Sequence, residues 1–167
     1  MGKKKDKKTE KTNAVRIVEA AGIDYILREQ DVSGGFTSGL ELARAMGQDP
    51  GQVFKTLVTV SNKGDYFVCV IPVERELNLK KAARHFGAKK VEMLLSRKLL
   101  ETTGYIHGGC SPVGMKKPFP TVIDASAKAY ETIMVSAGKI GFQMELAVDD
   151  LVKITGAKLE DVTDEPD

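Results

Sequence analysis

The 167-residue chain has no tryptophan, 6% aromatic residues, two cysteines, two histidines and six prolines. Cys69 and Cys110 cannot build a disulfide framework and offer no paired metal-ligand spacing. With His85 and His107 as the only histidines, a histidine-rich metal site is excluded and a mixed His/Cys site is weak. The longest aliphatic runs, such as 68–71, fall far short of the ~20 residues that cross a bilayer. The lysine-rich N-terminus has no apolar stretch behind it, so it does not read as a secretory signal. No P-loop is present, and no Gly-x-Gly-x-x-Gly turn joins a strand to a helix. What remains is a soluble protein of a reducing, cytoplasmic compartment, with no metal and no cofactor implied.

The net charge of +2 is uninformative until it is divided along the chain. Residues 1–11 carry six lysines against Asp6 and Glu10, and residues 158–167 carry Lys158 against five acids. Like charges at chain ends favour disorder. The expected organisation is a disordered lysine-rich tail over 1–11, one domain over 12–162 and an acidic tail over 163–167. The lysine tail either touches nucleic acid or is simply solvated.

Helical spacing predicts helices over 14–21 with Asn13 as cap, 40–46 with Ser38 as cap, 79–86, 96–101 with Ser96 as cap, and 148–154. Strands are predicted over 23–29, 53–61, 66–73, 89–93, 121–124, 131–136, 141–146 and 158–162, with a hairpin turn at 62–65. This pattern describes one mixed α/β domain with a largely antiparallel sheet. Residues 103–120 hold four glycines and three prolines without periodicity, and so irregular a stretch in a compact domain points to function.

Five features bear on chemistry. Lys55 shares a strand face with Val53 and Leu57, where an ammonium must be paired, lose its proton or open onto a polar cavity. The bland alternative is a lysine that snorkels from an edge strand. Gly108-Gly109 lets backbone N–H groups approach an anion closely, although any tight turn can use such a pair. Lys116-Lys117, just beyond, could meet a phosphate backbone or be a solvated turn. His107 and Cys110 invite a nucleophile–base reading, but residues three apart in one loop rarely reach attack geometry. Ser136, with Gly138, lies in a strand–turn–strand that an ordinary hairpin would equally explain.

Together, the stretches 53–58, 69–73, 79–83, 103–114 and 135–138 resemble the YbaK/EbsC family, free-standing relatives of the editing domain in bacterial prolyl-tRNA synthetases. The combination of Phe54-Lys55-Thr56 with Gly108-Gly109-Cys110-Ser111-Pro112-Val113-Gly114 carries that resemblance. It implies a barrel-like mixed sheet of about six to seven strands surrounded by helices. It also implies deacylation of mis-charged tRNA, typically cysteine on tRNA(Pro), with prolyl-tRNA synthetase as a partner. Lys55 matches the family's essential lysine, Gly108 with Gly109 the loop at the scissile ester, and Ser136 a pocket serine. Gly138, Gln143, Ser111 and Phe36 are then expected around the substrate. The family's cysteine-specific members carry an aspartate where this chain has Gln143. They also carry a tyrosine and a phenylalanine where this chain has Gln30 and the 36–39 loop. Substrate-assisted cleavage of cysteine, water-driven removal of alanine, and a non-catalytic tRNA- or synthetase-binding module therefore stand as alternatives.

Overall fold

The computed structural model describes residues 11–30 and 38–165. Among them are five α-helices, α1 (Asn13–Ala20), α2 (Gly39–Ala45), α3 (Leu79–Phe86), α4 (Ser96–Thr103) and α5 (Val148–Thr155). A 3₁₀ helix spans Ala125–Ala129. The strands are β1 (Tyr25–Glu29), β2 (Phe54–Ser61), β3 (Tyr66–Pro72), β4 (Val91–Met93), β5 (Thr121–Asp124), β6 (Thr132–Lys139), β7 (Phe142–Ala147) and β8 (Lys158–Glu160).

The expected single barrel-like sheet is instead two sheets. One has three strands in the order β1-β7-β6, and the other has five in the order β4-β2-β3-β5-β8. The first is wholly antiparallel, whereas β5 runs parallel to both β3 and β8. Among the described residues their one backbone link is an isolated parallel bridge between Val53 and Met134, supported by the Met134 N–H on the Gln52 carbonyl at 3.0 Å. The sheets nearly close at this seam but do not share a ladder.

Burial explains the layering. Phe54, Val58, Val68, Val70 and Ile123 on one face of the five-stranded sheet pack with Ile133, Val135, Ala137, Met144 and Leu146 of the other sheet. Helices α1 and α5 add Val15, Val18 and Leu151 to this core. The opposite face of the larger sheet buries Cys69, Ile71 and Val122 beneath Ala82 and Ala83 of α3. A third, small cluster of Ala43, Val53, Val73 and Met134 pins α2 over the seam. Alternation along β2 thus sends Phe54 and Val58 to the main core, while Leu57 goes to the α3 side.

Two helix starts differ from expectation. Thr12, not Asn13, caps α1: its hydroxyl accepts the Val15 N–H at 3.2 Å and donates to the Ala137 carbonyl at 2.5 Å. The cap therefore also ties α1 to β6. Ser96 is the first residue of α4 rather than its cap, and Leu95 at the cap supplies no side-chain bond. Ser38 does cap α2, accepting from the Glu41 N–H at 3.1 Å. No helix among the described residues is long and apolar enough to cross a membrane.

Candidate functional site

Residues from both sheets meet at the seam. In the parallel bridge Val53 and Met134 face the same side, and both enter the third cluster. Two residues further along each strand, on that same side, come Lys55 and Ser136. Lys55 lies opposite Ile71 in the β2–β3 register and is half-buried. Its ammonium has no hydrogen-bond or ion-pair partner among the described residues. Half-burial without a partner leaves a cation available to a ligand.

Ser136 sits opposite Gln143 in the β6–β7 register. Its hydroxyl accepts the Gly138 N–H at 3.1 Å, which orients it and leaves its own proton to donate. Gly138 is itself needed. Its φ is +100°, and a Cβ there would lie 2.9 Å from Tyr105 Cε1. Tyr105 is buried under this hairpin with its hydroxyl on the Val113 carbonyl at 2.6 Å. Burial pushes its phenol up to about 12.

The glycine-rich loop lies against the turn that follows β6. A Cβ on Gly109 would stand 3.0 Å from the Ile140 nitrogen and 3.2 Å from the Lys139 carbonyl carbon, so only glycine permits the approach. The Gly109 N–H is already engaged, donating to the Ile106 carbonyl at 2.9 Å. Gly108, exposed at φ +87°, keeps an N–H with no acceptor among the described residues. Of the two expected backbone donors, Gly108 is the one left free. Ser111 is fully buried and accepts the Val113 N–H at 3.2 Å, so it shapes the loop from inside. Phe36 lies outside the described residues.

The thiol–imidazole reading fails on geometry. Cys110 is 7% exposed within the main core, and burial pushes its thiol up to about 11. His107 is exposed on the turn. At neutral pH Cys110 remains a protonated, enclosed thiol and not an attacking thiolate.

The seam continues into a groove of ≈ 620 Å³ lined in part by Arg28, Met46, Gln48, Gln52, Met134 and Glu145. Cross-strand register places Gln143 between Ser136 and Arg28 on this sheet face. Gln143 is 8% exposed and exchanges two hydrogen bonds with Gln48, at 2.8 and 3.1 Å. Arg28 Nη2 donates to Glu145 Oε1 at 2.6 Å, and the Thr132 hydroxyl donates to Oε2 at 2.7 Å. These bonds, Arg28 first, hold the Glu145 carboxyl below the usual range. The Arg28 Nε is buried without a partner among the described residues. A second recess of ≈ 300 Å³, lined by Asp124, Asp161 and Asp164, contains none of these residues, and its acidity suits no phosphate-bearing ligand.

Sequence reasoning missed Gln48, Arg28 and Glu145. Gly47, with φ +69°, was the available signal for Gln48: a glycine ending α2 positions the next residue, whose N–H returns to the Ala43 carbonyl at 2.9 Å. The Arg28–Glu145 pair joins strands far apart in the chain and left no local trace.

Comparison with known proteins bears on this arrangement. Residues 35–154 match the aminoacyl-tRNA editing domain family. The chain is 47% identical over 159 residues to EbsC of Enterococcus faecalis, a protein provisionally assigned as a Cys-tRNA(Pro)/Cys-tRNA(Cys) deacylase. The match covers 95% of this chain and 97% of that one. A proline–tRNA ligase of Shouchella clausii is 30% identical over 102 residues, which is 61% of this chain but only 18% of the ligase. A crystal structure described provisionally as a trans-editing enzyme for prolyl tRNA synthetase superposes with a TM-score of 0.76 at 25% identity, covering 92% of this chain and 99% of that one.

Proposed function

The chain belongs to the aminoacyl-tRNA editing domain family, and on that premise we propose that it is a trans-editing deacylase. It cleaves the ester joining a wrong amino acid to the terminal ribose of a tRNA, with cysteine on tRNA(Pro) as the substrate. The observation that carries this reading is Lys55, a half-buried cation on an apolar strand with no partner among the described residues, on the same side of the Val53–Met134 bridge as Ser136.

In the proposed reaction the substrate supplies its own nucleophile. The cysteine sulfur bonds to its own ester carbonyl carbon, and the bond from that carbon to the ribose oxygen breaks. The thiol proton passes to the departing oxygen. The products are a tRNA with a free ribose hydroxyl and a four-membered thiolactone, which water then opens to cysteine. The Lys55 ammonium offsets charge on the terminal phosphate or on the departing oxygen. The Gly108 N–H faces the carbonyl oxygen as it becomes negative, and the Ser136 hydroxyl orients the amino acid. Each such preorganised donor contributes ~2.7–4 kcal/mol to a transition state when measured by removal.

The inaccessible Cys110 supports a route without a protein nucleophile. The Gln48–Gln143 amide pair supports a second reading, in which a side chain other than cysteine is accommodated and water attacks. The related segment inside a proline–tRNA ligase supports prolyl-tRNA synthetase as the partner that delivers tRNA in the cytoplasm.

The test is deacylation of cysteine-, alanine- and proline-charged tRNA(Pro). Cleavage of the cysteine ester alone, with thiolactone trapped by hydroxylamine, fits the cyclisation. Turnover of alanine establishes the water route. No turnover of any ester removes the catalytic reading.

A further inference from the structure

The net charge of +2 conceals a concentrated basic ridge. Between residues 89 and 117 stand Lys89, Lys90, Arg97, Lys98, Lys116 and Lys117 against only Glu92 and Glu101, a formal +4. The remainder of the chain is therefore formally negative. All six cations are exposed, and among the described residues only Lys90 forms an ion pair, a loose one with Glu92 at 3.8 Å.

The fold gathers this stretch and joins it to the site. The Lys116 ammonium donates to the Glu101 carbonyl at 3.1 Å, and its stem packs within 3.5 Å of a Cβ placed on Gly104. The second half of the loop is thereby held on the end of α4. Arg97 lies one turn back from Glu101, and Gly108 lies four residues on from Gly104. From Arg97 through Lys116 to the free Gly108 N–H the path is at most ~25 Å.

Apolar side chains are exposed along the same path. Seven large hydrophobic residues stand out among those described, and five of them belong here: Met93, Leu95, Leu100, Ile106 and Ile140. Ile106 and Ile140 flank the loop beside Gly108, within contact of the site. Cations interleaved with exposed apolar side chains match a single strand, whose phosphates need charge and whose bases need a dry surface.

We infer that the β4–α4 ridge, with Lys116-Lys117, is the track on which this protein seats the 3′ end of tRNA, Ile106 and Ile140 taking the terminal bases. This rests on the deacylase reading, because a tRNA ester at Gly108 must trail its acceptor strand across one neighbouring surface. A ridge of +4 complements a polyanion, whereas a mainly apolar protein interface would not concentrate unpaired cations.

The experiment uses the full chain and uncharged tRNA(Pro), intact or lacking its terminal CCA, so that binding is read apart from catalysis. The triple variant Arg97→Gln, Lys98→Gln, Lys117→Gln is compared with Lys63→Gln, Lys153→Gln, Lys158→Gln, which removes three exposed cations elsewhere. The ridge variant is expected to lower the slope of log K against log salt by ~2–3, from the loss of about three phosphate contacts. It should raise KM for charged tRNA at least tenfold at constant kcat, while the control triple behaves as wild type. Removing CCA should weaken wild-type binding but not that of Ile106→Ser, Ile140→Ser. Equal slopes for the two triples would overturn the inference. So would a ridge defect that appears only when prolyl-tRNA synthetase is added, since the ridge would then be a protein interface. If wild type binds as expected but cleaves no ester, the deacylase reading falls while the ridge as an RNA track stands.

Discussion

Gln48 and Gln143 lie 95 residues apart in sequence and hold each other by two amide hydrogen bonds, at 2.8 and 3.1 Å. One amide ends the turn after α2 and the other lies in the central strand of the smaller sheet. The pair buckles the turn after α2 to the sheet, and Gln48 lines the groove. Each amide satisfies the other, so neither offers a free charge to a substrate.

Truncating Gln48 leaves the buried Gln143 amide unmatched, at a cost of ~1–3 kcal/mol, and truncating Gln143 leaves the half-buried Gln48 amide unmatched at a smaller one. Gln48→Ala and Gln143→Ala should each lower the unfolding midpoint, and the double variant should fall little further than the worse single. The same cycle should shift the ratio of cysteine to alanine turnover several-fold. Additive losses with an unchanged ratio would separate the pair from specificity.

Lys55→Ala should reduce deacylation by at least ~100-fold, the scale for losing one charge-stabilising group. Thermal unfolding should change little, because the ammonium makes no bond to any described residue. Lys55→Arg keeps the charge but not the compact ammonium, so partial recovery is expected. Full activity in the alanine variant would reject the assignment.

Cys110→Ala should retain activity, and the wild-type thiol should resist alkylation at pH 7.5 in the folded protein. A thiol pushed to about 11 and 7% exposed has almost no reactive thiolate at that pH. Labelling should appear only on unfolding. Rapid inactivation by iodoacetamide would contradict this.

Gly138→Ala combines a left-handed backbone position with a Cβ 2.9 Å from the Tyr105 ring. Tyr105 is pinned from its far end by the Val113 carbonyl and cannot withdraw freely. The variant should lose ~1–3 kcal/mol of stability. It should also lose kcat, because the Gly138 N–H orients Ser136. Gly22→Ala, with φ +72° but open space, serves as the strain-only comparison.

Arg28 and Thr132 bond the Glu145 carboxylate and hold its pKa below the ordinary 4.5. A carboxyl depressed in the folded state contributes stability above its unfolded pKa and loses it as pH falls through the folded value. Arg28→Met should therefore move the acid-unfolding midpoint to higher pH. Stability at pH 7 should drop as well, since the depressed pKa acts fully there. An unchanged acid midpoint would show that the pair contributes nothing.

Local chemistry made most elements legible. Ser38 capped its helix, 62–65 turned, and Leu79–Phe86 formed at its predicted bounds, because caps, glycines and spacing act within one turn. Thr12 and Asn13 are both competent caps, and only the distant Ala137 carbonyl decides between them. The division into two sheets was hidden for the same reason. Alternation places a side chain on a face but does not say which strand lies beside it, and a lone bridge at Val53 determines where the sheets part. At the site, Lys55 was legible as a cation misplaced in an apolar strand. The engagement of the Gly109 N–H and the burial of Ser111 were not, since both depend on how the loop folds over itself.

The pairing of β1 with β7 has a consequence on the ribosome. Tyr25 finds its partner only when Leu146 has been made, and among the described residues β1 has no other ladder. At ~5–20 residues per second the first strand waits roughly 6–24 s for it. Ser136 and Gln143 pair over that same interval, and under the proposed reaction, in which Ser136 orients the amino acid, a nascent chain cannot act on the charged tRNAs crowded around it. Competence to remove an amino acid comes only when synthesis of the domain is nearly complete.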